Sequence, residues 1–229
     1  MRHTLLVTGA SHRIGAALAL ACGRAGANII VHHHRSDPSD VLAKLRALPG
    51  VEARAVQGPL DSAGDASALF DAANSIMPVT GIINNAARFS TATLASATPA
   101  ETLALWQTNV LATLALMQAL HAAAPAEGVI INLLDQRITR PAQTPVYTAT
   151  KSALAQLTLA AAVEFAPHIR VNAIAPGPVL PPAGAHEKAG RLLLSHRPTL
   201  NDLCDAALYL FNARSVTGQI IYVDSGQHL

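Results

Sequence analysis

Short, almost uninterrupted apolar runs punctuate the chain, and each is followed by a longer stretch in which apolar residues recur at helical spacing. The runs fall at Thr4–Val7, Asn28–His33, Val51–Val56, Gly81–Asn84, Val129–Leu133, Arg170–Ala173 and Gln219–Val223, and they predict seven strands. A strand that is apolar at every position, rather than at every second one, is buried on both faces. Alternation of such strands with helices predicts an α/β fold, a doubly wound parallel sheet of seven strands with helices on both faces.

Two helical stretches stand out. One runs from about Pro99 to Ala124, with proline at its start, Thr98 placed to cap it and Glu101 near the positive end of its dipole. The other runs from about Val146 to Phe165 and stops before Pro167. Both are rich in Ala and Leu on more than one side, which predicts burial beyond a single face, including a subunit interface. Pro176 to Pro198 reads as a loop, opened by Pro176, Gly177, Pro178, Pro181, Pro182 and Gly184. After the carboxyl end of a strand, such a loop is placed to cover a substrate. No repeat or break in composition divides the 229 residues, so one domain over 1–229 is expected.

Composition narrows the function classes. Apolar residues make up 51% and charged ones 13%, against the roughly 25% charged of an ordinary soluble domain, which excludes extended disorder. Sixteen Lys and Arg against fourteen Asp and Glu leave +2 with His neutral. No basic run is available to track phosphates, so nucleic acid is not an expected partner. The nearest approach to a membrane span, Leu103 to Ala126, is interrupted by Gln107, Thr108, Asn109 and His121 before ~18 apolar residues accumulate. The apolar run after Arg2 and His3 is shorter than the ~7–15 residues of a signal core. Cys22 and Cys204 match no metal or redox spacing. A soluble cytoplasmic protein acting on a small molecule is the expectation.

The first strand runs into Thr8-Gly9-Ala10-Ser11-His12-Arg13-Ile14-Gly15 and then a helix, the context in which a dinucleotide pyrophosphate sits on a helix N-terminus. Gly9 permits the tight turn, Gly15 permits close packing of helix on strand, and Arg13 replaces the usual middle glycine. Further on, Tyr147-Thr148-Ala149-Thr150-Lys151 puts a phenol and an ammonium four residues apart on one helical face. A nearby cation lowers the pKa of a phenol from ~10, so Tyr147 is a candidate general acid. The triple His32-His33-His34 suggests a metal, but strand alternation sends His33 to the opposite face from the other two, with no acid or Cys ligand nearby in sequence. No metal site is expected.

The order of the glycine turn, Asn84-Asn85-Ala86, Asn109, the Tyr147/Lys151 pair, Pro176-Gly177 and Val223-Asp224-Ser225-Gly226 resembles the short-chain dehydrogenase/reductase family over essentially the whole chain. The resemblance implies a single Rossmann-type domain and a homotetramer paired through the two apolar helices. It implies catalysis by Asn109, Tyr147 and Lys151, with Asn109 holding a proton-relay water and Lys151 also on the nicotinamide ribose. The cofactor would be held by Gly9, Ser11, Arg13, Ile14, Gly15, Leu60, Asn85, Ala86, Pro176, Gly177 and Val179.

Four less common positions resemble the pteridine reductase branch of that family: Arg13, His34-Arg35-Ser36 after the second strand, Phe89, and Asp135 twelve residues before Tyr147. His34, Arg35 and Ser36 offer donors and positive charge where an acid would hold free ribose hydroxyls, which favours NADPH. Asp37, beside Pro38, reads as a helix N-cap. Asp135 stands where most of the family has a serine. An ionised carboxylate accepts hydrogen bonds and repels a developing oxyanion, so it suits a ring with N–H donors; a protonated one would deliver a proton to nitrogen at a C=N bond. The other reading has Asp135 capping a loop while Gln136, Thr139 or Thr144 takes the serine's role. Phe89 is either an aromatic plane for a flat heterocycle or core packing. Arg13, Phe89, Asp135 and Tyr147 are thus the candidate substrate residues.

Several positions depart from the pattern. Pro59 stands near where an adenine-side aspartate is usual, with Asp61 two residues on, which leaves backbone and apolar contacts for adenine. Pro176-Gly177-Pro178-Val179-Leu180 lacks a hydroxyl for the nicotinamide amide, and Ala87 replaces a serine of the branch. The implied function is an NADPH-dependent reductase of dihydropterin-like heterocycles. The alternatives are a carbonyl reductase for ketones or 3-oxoacyl groups, and a non-catalytic dinucleotide-binding regulator.

Overall fold

The computed structural model describes residues 3–140, 144–180 and 192–229. Seven strands, β1 (Thr4–Val7), β2 (Asn28–His33), β3 (Ala53–Gln57), β4 (Gly81–Asn84), β5 (Gly128–Leu133), β6 (Ile169–Pro176) and β7 (Ile220–Val223), form one parallel sheet in the order β3-β2-β1-β4-β5-β6-β7. The Rossmann-type α/β fold expected from the sequence is the fold present. The third strand begins two residues later than its apolar run suggested, and β6 extends three residues further, to Pro176.

The uninterrupted apolar strands are explained by two separate cores. On one face Leu5, Val7, Ile29, Val31, Ile83 and Ile131 pack beneath α1 (Arg13–Arg24), α2 (Ser39–Arg46) and α7 (Leu200–Asn212). On the other, Leu6, Ile30, Ile82, Ile130 and Val171 pack beneath α3 (Ala63–Ile76), α5 (Thr113–Ala122) and α6 (Pro145–Glu164). Successive strand residues point to opposite faces, and here both faces are dry.

The sequence predicted one helix from about Pro99 to Ala124. Instead α4 (Pro99–Trp106) passes into a π-helical turn, Gln107–Ala112, before α5 resumes. Thr98 caps α4 by accepting the Glu101 N–H, as its position suggested. By length and composition the run Pro99–Ala122 is apolar enough to cross a membrane, but just over half of its 18-residue apolar window is buried inside the protein. At α2 the cap is displaced: Pro38 occupies the cap position, and Asp37, one residue earlier, accepts both the N–H and the hydroxyl of Ser39. Proline has no side-chain oxygen to cap with, so the preceding carboxylate reaches over it.

Parallel order places the carboxyl ends of all strands on one edge. The chain leaves β1 and β4 in opposite directions along the sheet, which opens a crevice between them, the usual ligand position in such sheets. The middle of the proposed covering loop, 181–191, lies outside the described residues; its far end is anchored where Leu193 and Leu194 N–H groups meet the Ser225 carbonyl.

Candidate active site

The turn after β1 is held by side chains that bind main chain, from the end of β4 and from β2. Thr8 Oγ1 accepts the N–H groups of Asn85 and Ala86 at 2.9 Å, and Asn85 Nδ2 donates to the carbonyls of Thr8 and Gly9. His32 Nδ1 accepts the Gly9 N–H at 3.0 Å while Nε2 faces the Gly58 carbonyl at 3.1 Å. That pairing assigns the neutral tautomer with its proton on Nε2, and burial pushes the pKa of His32 down to about 4. Gly9 has φ +62° and Arg13 φ +53°. Arg13 thus takes a glycine-like conformation, at a cost on the order of 1–2 kcal/mol, and its side chain is what distinguishes the turn. A Cβ on Gly15 would lie 2.2 Å from the Gly9 carbonyl oxygen, so α1 can start against the turn only with glycine there. No side chain caps α1, which leaves its first N–H groups facing the crevice edge for an anion.

Beside this turn a cleft of about 320 Å³ is lined by Gly9, Ser11, His34, Arg35, Ser36, Leu60 and Ala86, all singled out in the sequence. Of the remaining lining residues, His12, His32, His33, Asp61, Ala87 and Thr108 were noted in the sequence for other reasons than cofactor binding, and Arg88 carried no signal there. His32 and His33 are the last two residues of β2, and all three histidines line the cleft. His33 Nδ1 pairs with the Ser36 carbonyl. The displaced aspartate also reaches the cleft: Asp61 pairs with Arg88 Nη2 at 2.9 Å, so polar side chains are present where only backbone and apolar contacts were expected. The Ser39 donors hold the Asp37 pKa below its ordinary value, and Asp37 is not among the residues that line the cleft, where Arg35 and Arg88 supply the cations. Ile14 and Val179 pack partly into the core beneath, and Gly177 N–H binds the Val223 carbonyl at the end of β6.

The second constellation forms at the end of β5. Asp135 caps a 3₁₀ turn, Gln136–Thr139, through Oδ1, which accepts the Arg137 N–H at 2.8 Å. Its Oδ2 pairs with Arg137 Nη1 at 3.0 Å and accepts the Tyr147 hydroxyl at 3.3 Å. The loop-capping reading of Asp135 is thus present in the structure, and the same carboxyl also accepts from the Arg137 side chain and from Tyr147. Thr139 and Thr144 hydroxyls are engaged elsewhere, on the Gln136 and His228 carbonyls and on Thr148. Phe89 is 56% exposed, not core. Its ring stands edge-on to Tyr147 at 4.9 Å, with the Arg137 guanidinium 5.8 Å from its centre.

Tyr147 and Lys151 share a face of α6, but their electrostatics differ from the expectation. Lys151 Nζ donates to the Leu133 carbonyl at 2.7 Å, and burial lowers its pKa to about 8. Burial, followed by the charge of Asp135, pushes the Tyr147 phenol up, so the phenol is held protonated. Asn109 lies in the π turn. Its side chain accepts the Arg88 N–H and donates to the Arg88 carbonyl and Thr150 Oγ1. Thr150 in turn donates to the Tyr147 carbonyl. The side chain of Asn109 therefore braces the strand β4 exit against α6. Arg137 had no local signal beyond its spacing from Asp135.

The family described as enoyl-(acyl carrier protein) reductase matches residues 9–228. The chain belongs to the short-chain dehydrogenase/reductase family. Among its relatives, L-xylulose reductase of Cavia porcellus is 32% identical over 96% of this chain and 94% of its own. The crystal structure of FolM, alternative dihydrofolate reductase 1, from Brucella suis in complex with NADP superimposes with a TM-score of 0.92 at 32% identity, over 99% of this chain and 95% of that one. A blue fluorescent protein from a metagenomic library, in complex with NADPH, gives a TM-score of 0.89 at 29% identity, over 98% and 97%. The chain is thus an oxidoreductase of a family whose solved members include NADP-bound ones.

Proposed function

We propose that the protein is an NADPH-dependent reductase of a dihydropterin-like nitrogen heterocycle. The observation that carries it is the Tyr147 hydroxyl on Asp135 Oδ2, beside the exposed ring of Phe89. A carbonyl reductase has no use for an acceptor carboxylate where an oxyanion develops, whereas a 2-amino-4-oxo ring brings N–H donors to it. The likeness to FolM supports the same reading; that to L-xylulose reductase is the ground for the carbonyl alternative.

The cofactor fits the residues present. The uncapped start of α1, the Gly9 and Gly15 cradle and Ser11 suit a pyrophosphate, and Arg13 adds charge beside it. His34, Arg35 and Ser36 suit a 2′-phosphate, because the one acid among the described cleft-lining residues is already paired with Arg88. Leu60, Asn85 and Ala86 serve the adenosine side, and Pro176, Gly177 and Val179 the nicotinamide. NADPH supplies the hydride. Tyr147, kept protonated, gives its proton to the substrate nitrogen. Lys151 retains two N–H donors for ribose and for the phenolate that Tyr147 leaves. Asn109 fixes α6 in place, and Phe89 stacks on the ring. The 176–198 loop covers the site within a single 1–229 domain. Exposed Leu103, Leu111, Leu159 and Val163 on the two apolar helices form the contact of a homotetramer, and two free cysteines suit the cytoplasm.

NADPH oxidation measured with dihydrobiopterin, dihydrofolate and a panel of ketones tests the reading. Dihydropterin turnover that drops on Asp135→Ser is the expected result, together with a loss of preference for NADPH over NADH on Arg35→Ala. Ketone turnover alone, indifferent to Asp135→Ser, assigns a carbonyl reductase instead.

A further inference from the structure

We propose that Arg137 is the positioning residue of the substrate end: it fixes the Asp135 carboxylate as an acceptor with two places free for the adjacent N–H donors of a flat heterocycle. The identity of those donors rests on the heterocycle reading; the action on Asp135 does not.

The argument is one of counting acceptor positions. An ionised carboxylate offers about four lone-pair positions. Arg137 takes two of them, through its N–H on Oδ1 at 2.8 Å and its Nη1 on Oδ2 at 3.0 Å. The Tyr147 hydroxyl takes a third at 3.3 Å, the longest and so the weakest of the set. When the phenol turns to the substrate, two positions are free. An amino group and the neighbouring ring N–H present two parallel donors, which match them.

The same arginine also orients the aromatic wall. Its guanidinium lies 5.8 Å from the centre of Phe89, within the ~6 Å range of a cation–π contact, and Phe89 stands edge-on to Tyr147. Asp135 and Arg137 side chains are 14% and 21% exposed, so their attraction is less screened than at an open surface. Apart from Arg137, the groups facing Asp135 among the described residues come from α6: Tyr147, which stays neutral, and Lys151, whose charge acts in the same direction as the arginine. Removing the Arg137 side chain takes one donor from Oδ2, and the part-buried carboxylate is then held only by the backbone N–H of residue 137 and by Tyr147, so its free positions are no longer fixed toward the substrate.

The test is carbon-13 carboxyl NMR of the whole protein with labelled aspartate at one fixed pH, the Asp135 signal being assigned by its loss in Asp135→Asn. In Arg137→Leu that signal should move from its wild-type position, because one donor on Oδ2 is gone. Arg137→Lys, which keeps the charge and loses the fork, should fall between. For dihydrobiopterin, Arg137→Leu should raise KM about tenfold with kcat little changed. Should Arg137→Leu not fold, Arg137→Gln removes the same guanidinium and is read in the same way. A carboxyl signal that stays in place on removal of the guanidinium overturns the proposal. If the wild-type protein reduces ketones and no pterin, the heterocycle reading falls, and the NMR signal still decides the role of Arg137.

Discussion

The turns after β1 and β5 flank the same strand, β4, and are built in opposite ways. The first is fixed by uncharged groups acting on the main chain: one threonine hydroxyl, one asparagine amide and a neutral histidine bind the backbone around Gly9. The second is almost wholly side chain, with a carboxylate, a guanidinium, a phenol and a buried ammonium held on two elements. A site for a fixed anion gains from donors that cannot move, whereas a site that transfers a proton needs groups whose charge can change. The main-chain turn is therefore specified by shape, and the side-chain turn by electrostatics.

Substitutions that respect shape but remove a proton should separate the two ends most sharply. Tyr147→Phe is expected to lower kcat by roughly 10²–10⁴-fold, the range of a positioned general acid, while NADPH affinity measured by titration calorimetry stays within a few-fold. Comparable turnover in the variant would assign the proton to another group.

The next effect is one of pH at the β5 end, above neutrality. Burial lowers the Lys151 pKa from 10.5 to about 8. Between those values the unfolded chain binds more protons than the native protein, so stability rises with pH across that window. Below pH 8 the buried charge costs about 3 kcal/mol. Denaturant unfolding of Lys151→Met and wild type should show the variant's relative stability falling by about that amount from pH 7 to pH 10.5. A difference independent of pH would mean that the amine is solvated.

The smallest effect tests shape. Gly15→Ala puts a methyl 2.2 Å from the Gly9 carbonyl oxygen, and overpacking of this kind costs about 1–3 kcal/mol. NADPH affinity should fall about tenfold or more, with kcat at saturating cofactor little changed and no dependence on pH between 6 and 9, roughly the range in which His32, with its pKa near 4, stays neutral. Unchanged affinity would show that the turn is looser than its hydrogen bonds suggest.

How much of this was legible in the sequence follows from the same division. Unbroken apolar runs state that a strand is covered twice, and Thr8-Gly9 to Gly15 states that a strand becomes a helix through a turn only glycine allows; both are local facts, read from neighbouring residues. Tyr147 and Lys151 were legible for the same reason, being one helical turn apart. The π turn at Gln107–Ala112 was not, since it depends on Asn109 finding Arg88 and Thr150 across the fold. Nor was the state of the phenol, which spacing assigned to Lys151 and burial assigns to its surroundings and to Asp135. Arg88 on Asp61 and Arg137 with Phe89 are likewise products of packing. The sequence by itself determined the strands, their cover and the residue types at the strand ends, because these are set by covalent spacing and by φ. Tertiary structure alone decided which of those groups share a dielectric, because desolvation and Coulomb attraction act through space and not along the chain.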